Sequence, residues 1–229
     1  IARPGKKLIV SDFAGLELRV AATVCQERFF QDAFRKYSCK TCGCTGESNI
    51  MLHVCPECGE SDESAFVHGA DLHSMTRDSI AALKGDRQAA KVINFSIIYL
   101  AGKYKLAGEY PSLSPDEWQE IIDEYMGRLK GVKRYHLRQE RLYREGKESI
   151  DIFGRRRYVP KPKRIPDKVA YMKLYKRGLN QIVNQPIQGP AATLTQIAQN
   201  DLRAKWISDG LWKSRAMIIN SVHDEIVCE

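Results

Sequence analysis

The chain has 229 residues, 43% of them hydrophobic and 28% charged, with 36 Lys and Arg against 28 Asp and Glu for a net charge of +8. That length fits one large or two modest domains and supplies a core without disulfide staples. No apolar run approaches the roughly 18 residues that a spanning helix needs, so a membrane span is excluded and no membrane partner is expected.

The chain starts at Ile1, and IARPGKK lacks the apolar stretch of a signal peptide, so the sequence reads as an interior piece of a longer chain, cut at both ends. KKLIVSDF reads as a short buried strand ending at Asp12, and residues 15–34, GLELRVAATVCQERFFQDAF, read as one apolar, Ala-rich helix. Residues 38–69 break that pattern with Cys, Gly, Ser and acidic side chains. Helix resumes behind Asp71, whose carboxylate suits a cap on DLHSMTRDSIAAL, and a second helix runs through DRQAAKVINFSIIYL to Leu100. A loop holding Gly108 and Pro111 follows. Ser114, Pro115 and two acids in the first turn then start the helix SPDEWQEIIDEYMGRL.

Residues 128–177 hold 18 Lys and Arg against 5 Asp and Glu, a net +13, which leaves −5 for the rest of the chain. A block so polarised reads as a docking surface for a polyanion, nucleic acid first, although a solvated helix face has the same composition. Within it DIFGRRRYVPKPKRIP reads as a strand or hairpin and an extended basic loop, with helix from about Lys168. NQPIQGPAATLTQIAQNDLRAKWISDG reads as a turn at Pro186–Gly189 and then a long helix ending at Gly210. AMIINSV and EIVCE read as two strands joined by a hairpin tip at His223 and Asp224, and the whole as α+β and helix-rich.

Asp12 ends one apolar strand and Asp224 sits between two others, so if those strands are neighbours both carboxylates emerge on one rim. Two carboxylates plus substrate phosphates form the oxygen set that magnesium prefers; a helix cap and a turn are the plainer roles for the same residues. Arg87, Lys91, Phe95 and Tyr99 recur every four residues along one helix face. From Arg87 to Phe95 is about 12 Å, comparable to an extended nucleoside triphosphate, so cations could hold phosphates while a ring stacks on the base. Core aromatics with snorkelling cations would give the same stripe.

DFAGLELRVAA, DRQAAKVINFSIIYLAG and SVHDEIV together resemble the three polymerase motifs of the family A DNA polymerases, the bacterial DNA polymerase I type, in the family's order. DLHSMT, FGRRRYVP and NQPIQGPAA resemble stretches between those motifs, so the likeness covers nearly everything outside residues 38–69. The resemblance implies a helix-rich palm and fingers with an antiparallel palm sheet. Residues 1–37 would begin the palm, 70–150 form fingers with the nucleotide-binding helix, and 151–229 complete the fingers and continue the palm, truncated after the third motif. It implies template-directed DNA synthesis from dNTPs on a primer–template, in the cytoplasm of a bacterium or a phage-infected host. A non-catalytic zinc-bearing DNA-binding fragment, or a degenerate homologue, is the alternative.

Carried over residue by residue, the resemblance makes Asp12 and Asp224 the carboxylates for two magnesium ions, with the Phe13 carbonyl a further ligand and Glu225 an accessory acid. Arg87 and Lys91 would hold the incoming triphosphate, Lys91 also giving a proton to pyrophosphate, and His73 would touch the phosphates. Phe95 would pack on the nucleotide sugar and base, Tyr99 would stand beside the templating position, and Glu17 would block a ribose 2′-hydroxyl. Asn184, Gln188 and His223 would line the duplex minor groove, and Arg155 and Arg156 would contact DNA within the basic block. The chain departs from the family at Ser96 and Leu100, where glycines are usual, and at Asn180, which replaces a commonly basic residue.

CKTCG and CPECG are two C-x-x-C-G knuckles 12 residues apart, a spacing that lets two tight turns face each other across one tetrahedral zinc. Cys39, Cys42, Cys55 and Cys58 are the expected ligands of one structural zinc, with Cys44 the odd one out, and disulfides or an unmetallated redox pair are the alternatives. This zinc-ribbon-like insertion, residues 38–69, is not a usual feature of the family. Its one Lys in residues 39–68 is outnumbered by Glu47, Glu57, Glu60, Asp62 and Glu63, which disfavours phosphate contact and points instead to a structural clip or a knob for an accessory protein.

Overall fold

In the computed structural model, which describes residues 2–48, 54–62 and 65–229, antiparallel pairing brings the two ends of the chain together. Strand β1 (Ile9–Asp12) pairs with β8 (Glu225–Cys228), and β8 with β7 (Ile218–Val222), in the order β1-β8-β7. The register sets Asp12 opposite Glu225. Because Val222 pairs with Glu225, His223 and Asp224 are left as a two-residue turn at the same rim. Strand β1 is not the buried strand its apolar run suggests: Ile9 is 62% and Val10 58% exposed, because β1 is a sheet edge. Periodicity cannot distinguish a covered strand from an open one.

The segment read as one helix is two, α1 (Leu16–Val24) and α2 (Arg28–Arg35). Gln26 turns into the left-handed region at φ 50°, and Glu27 then caps α2 by accepting from the Phe29 amide. The buried Glu27 carboxylate also accepts from the amides of Gly131 and Val132, at 2.7 and 3.2 Å, and so pins this corner to a distant helix start.

Strands β2 (Lys36–Cys39), β3 (Thr45–Glu47) and β4 (Phe66–His68) form a separate antiparallel sheet, ordered β3-β2-β4, that carries the cysteine knuckles. Helix α3 (Leu72–Ser79) follows behind its Asp71 cap, then a 3₁₀ turn (Ala81–Leu83) and α4 (Arg87–Ile97), capped by Asp86. Helix α4 ends three residues before Leu100, and Leu100 itself is left-handed at φ 58°, a conformation that explains why glycine suits this position. A short helix, α5 (Lys103–Glu109), occupies the segment read as loop around Gly108. The expected helix start at Ser114 opens α6 (Pro115–Arg128), where Ser114 and Glu117 form a capping box, and α7 (Lys130–Glu145) runs on from it.

The hairpin β5 (Ser149–Ile150) and β6 (Arg156–Arg157) precedes α8 (Lys168–Ser208), 41 residues long. No turn interrupts α8 at Pro186–Gly189; the helix continues through Pro186 and Pro190. Four residues apart, the two prolines share one helix face, and both are buried. Packing of α8 against α1 and α7 offsets the hydrogen bonds the prolines remove, and a local signal for a turn loses to tertiary contact. The main core joins α1, α2, α4, α6, α7 and α8, with Phe30, Ile93, Trp118, Tyr125 and Ile182 sealed from solvent. Among the described residues no helix is long and apolar enough to cross a membrane.

Candidate functional site

A cavity of about 590 Å3 opens where β1, α1, α4, α8 and the β7–β8 turn converge. Asp12, Phe13, Glu17, Phe95, Gln188, His223 and Asp224, distant in sequence, all line it. The strand register places Asp12 and Asp224 there. Among the described residues neither carboxylate, nor that of Glu225, has a side-chain hydrogen bond or ion pair. Unneutralised carboxylates converging on one rim suit a hard cation, and two of them leave coordination positions for phosphate oxygens and water. His223 is held at φ 55° in a turn where glycine or asparagine is the usual choice, a strained conformation of the kind that collects at functional sites.

Helix α4 rises from the cavity. Phe95 lines it, with Lys91 one turn and Arg87 two turns toward the helix N-terminus. Tyr99 lies beyond the helix end, and its hydroxyl donates to the Glu17 carboxylate. Burial, reinforced by this anion, pushes the Tyr99 phenol far above its ordinary range, so it stays a proton donor at every working pH. Glu17 is thereby fixed on the cavity wall.

His73 joins this group through α3. Its ring packs on Phe95 with centroids 5.6 Å apart, and its Nδ1 accepts from the Asn94 amide at 3.0 Å. Asn94 is itself oriented, because its Oδ1 accepts from the hydroxyls of Thr76 and Tyr125. Burial first, then repulsion from Arg87 and Lys91, lowers the His73 pKa against an opposing pull from Asp71. A ring whose folded-state pKa is depressed resists protonation. Its contribution to stability is therefore complete above the ordinary histidine value of about 6.5 and declines as pH falls below it. The imidazole resonances of His73 are expected to titrate below those of an exposed histidine; a midpoint at or above that of free histidine would contradict the burial assigned to it.

Asn94 and Asp71 extend the group that sequence reading identified. Asp71 caps α3 and also accepts from Arg87 Nε at 2.8 Å, and that guanidinium holds the Asp71 carboxyl far below the usual carboxylate range. A polar Asn on the apolar face of a helix must find partners once buried, and that was the signal available for Asn94.

The DNA-contact candidates are less uniform. Gln188 reaches the cavity, whereas Asn184 keeps a buried Oδ1 without a hydrogen-bond partner among the described residues. Arg155 is committed to the buried Asp151 at 2.9 Å, and Arg156 lies 3.5 Å from Glu148. Arg157, Lys163 and Arg164 are exposed and form no ion pair among the described residues.

The knuckles meet as their spacing predicts. Sγ atoms of Cys39, Cys42, Cys55 and Cys58 all lie within 4.8 Å of one another. Cys39 to Cys58 is 3.8 Å and Cys42 to Cys55 is 3.7 Å. A tetrahedron with zinc–sulfur bonds of about 2.3 Å has edges of about 3.8 Å, so the donor set fits zinc. Backbone N–H groups of the second knuckle, from Cys58 first, hold the Cys55 thiol below its ordinary pKa, whereas burial and hydrogen bonding with Cys42, Cys55 and Cys39 push the Cys58 thiol up. Cys44 stands 3.4 Å from Cys55, a fifth sulfur outside the four.

A sequence model of DNA polymerase family A matches residues 48–229. DNA polymerase I of Caldicellulosiruptor bescii is 28% identical over 225 residues, covering 98% of this chain and 22% of that protein. The Pseudomonas aeruginosa DNA polymerase I is 29% identical over 229 residues, covering 100% and 21%, and that of Bacillus caldotenax is 31% identical over 193, covering 80% and 21%. The chain thus spans about a fifth of the length of these relatives. Its fold is similar to the POL domain of Pol1 from M. smegmatis, solved with DNA primer-template and dNTP, at a TM-score of 0.69 and 22% identity over 98% of this chain and 33% of that one. The rim of carboxylates and the cation–aromatic helix thus sit on a polymerase fold and within a matched family sequence, and the chain belongs to DNA polymerase family A.

Proposed function

We propose that the chain forms the palm and fingers core of a template-directed DNA polymerase that adds dNTPs to a primer 3′-hydroxyl and releases pyrophosphate. The observation that carries this reading is the cavity that joins Asp12 and Asp224 to Glu17 and Phe95 beneath α4. Asp12, Asp224 and the Phe13 carbonyl would hold two magnesium ions, which supply charge stabilisation for attacking and leaving oxygens, with Glu225 alongside.

The remaining work is positioning by the chain's own side chains. Arg87 spends its Nε–H on Asp71 and keeps its terminal amino groups for bidentate contact with phosphate. Lys91, with no ion pair among the described residues, would hold the triphosphate and give a proton to departing pyrophosphate. Neutral His73, accepting at Nδ1, offers its Nε2–H to a phosphate oxygen. Phe95 would pack on the nucleotide, Tyr99 beside the templating base, and Asn184, Gln188 and His223 along the minor groove. Cys39, Cys42, Cys55 and Cys58 would bind one zinc ion, and the acidic composition of that module would suit an accessory protein. Acting on primer–template DNA, the protein would work in the cytoplasm of a bacterium or of a phage-infected host.

Primer extension by the full-length protein tests the reading, with dNTPs compared against ribonucleotides. Extension with dNTPs is expected, and Glu17→Ala should raise ribonucleotide use by about tenfold or more, the scale of a pocket gaining room for one small group. Failure of the unmodified protein to extend any primer would favour a DNA-binding homologue without turnover.

The structure also selects which cations to test in the basic block. Replacing Arg155 would uncover the buried Asp151, so Arg157→Ala with Lys163→Ala is the cleaner pair. The double variant is expected to lower DNA affinity irrespective of sequence and to flatten the log–log salt dependence by about 0.9 per lost phosphate contact. An unchanged slope would make that surface solvated only.

A further inference from the structure

The metal module is joined to the phosphate-binding residues by a very short connection. Cys39 ends β2, where it pairs with Phe66 of β4, and Phe66 packs with Cys39, Cys55 and Cys44 in a core of their own. Strand β4 ends at His68. Gly69 turns in the left-handed region at φ 87°, Ala70 follows, and Asp71 caps α3. Along this link the Gly69 amide donates to the Lys36 carbonyl and the Ala70 amide to the Ala33 carbonyl, at 2.6 and 2.7 Å.

Asp71 is the end of that path and the start of the nucleotide group. One carboxylate oxygen accepts from the His73 amide, and the other accepts from Ser74 Oγ at 2.7 Å and Arg87 Nε at 2.8 Å. Among the described residues the core of this module is three cysteines and a phenylalanine, a small apolar surface of the kind that a bound metal supplements. Metal binding at four thiolates can supply about 10–16 kcal/mol of folding free energy and thereby fix β2 against β4.

We propose that a zinc ion held by Cys39, Cys42, Cys55 and Cys58 fixes β4 and, through the link at Gly69 and Ala70, sets Asp71 as the positioning residue for Arg87, so that metal occupancy tunes nucleotide affinity. The proposal rests on reading the four cysteines as a zinc site and α4 as the triphosphate site. Asp71 does not touch substrate. It restricts the guanidinium by engaging Nε. The pair is about half exposed, with side chains 41% and 48% accessible, so its loss is expected to weaken nucleotide binding by about two- to fivefold rather than to abolish it.

The test uses the full-length protein in magnesium buffer, with zinc present or withdrawn by a zinc-selective chelator, beside Asp71→Asn, Cys55→Ser and the double variant. Zinc content, equilibrium dNTP binding and the imidazole resonances of His73 without nucleotide are measured. About one zinc per chain is expected. Its removal should shift the His73 resonances and weaken dNTP binding about two- to fivefold, as Asp71→Asn does, and the two changes should not add, since they act on one path.

Zinc near zero in the unmodified protein overturns the metal reading. Zinc near one, with His73 resonances unmoved on its removal, overturns the coupling while leaving the metal site standing. Additive losses in the double variant also overturn it. Should dNTP fail to bind at all, the polymerase reading fails separately, and the His73 resonances still decide the coupling. If Cys55→Ser is recovered unfolded, chelation of the folded protein supplies the same comparison.

Discussion

Asp12→Ala and Asp224→Ala are each expected to abolish primer extension by the full-length protein, by about 10^3-fold or more, while leaving its melting temperature unchanged. The effect is expected to be large because charge developing on a transferring phosphoryl group in a confined site is stabilised by cations, and each variant would remove one of the two carboxylates proposed to anchor them. The fold is expected to tolerate the loss. Among the described residues neither carboxylate makes a side-chain hydrogen bond or ion pair, and Asp12 is exposed at the end of an edge strand. Glu225→Ala should cost less, since Glu225 stands opposite Asp12 in the strand register and outside the cavity lining. Normal extension by either aspartate variant would sink the assignment of that residue, and a fall in melting temperature large enough to explain the loss would sink the catalytic interpretation.

The largest stability effect is expected at Gly131. A Cβ there would lie 2.5 Å from the Cys25 carbonyl oxygen, 2.8 Å from that of Gln26 and 2.9 Å from the Glu27 Cα. All three are backbone atoms, which cannot rotate aside as a flexible side chain could. Relief would require α7 to move off the α1–α2 corner. That would break the Glu27 hydrogen bonds to the Gly131 and Val132 amides and leave a buried carboxylate short of donors. Gly131→Ala is expected to cost about 3 kcal/mol, the upper part of the overpacking range. For a folded unit of this size that is a fall of roughly 6–12 °C in melting temperature. Glu27→Gln, which keeps the shape and removes the charge, should cost about 1–3 kcal/mol. A Gly131→Ala protein melting within about 2 °C of the parent would show that the corner yields without cost.

What could be read from the sequence was set by local chemistry. The Asp71 and Ser114 caps, the β7–β8 turn and the two C-x-x-C-G knuckles each concern residues close in the chain, and each lies where its side-chain chemistry requires. Local signals failed where tertiary packing overrode them. Pro186–Gly189 read as a turn, yet Pro186 and Pro190 are both buried in a continuous α8. The stretch read as one helix breaks at Gln26 because a left-handed residue there lets Glu27 reach α7, a partner more than 100 residues away. The apolar run of β1 gave no sign that the strand lies open at a sheet edge.

The site divides along the same line. By itself the sequence determined which residues could do the chemistry: carboxylates at strand ends, a cation–aromatic helix face, four cysteines at ribbon spacing and a +13 block. Residue type and short-range periodicity suffice for that. Only the tertiary structure decided which of them meet. The antiparallel register of β1 on β8 sets Asp12 beside the Asp224 turn, and the convergence of α1, α4 and α8 brings Glu17, Phe95 and Gln188 to the same cavity. It also gave Asp71 and Asn94 their places beside Arg87 and His73, and tied Arg155 to Asp151. The physical reason is that strand register and helix packing are fixed by long-range burial and hydrogen bonding, which leave no mark on residue spacing along the chain.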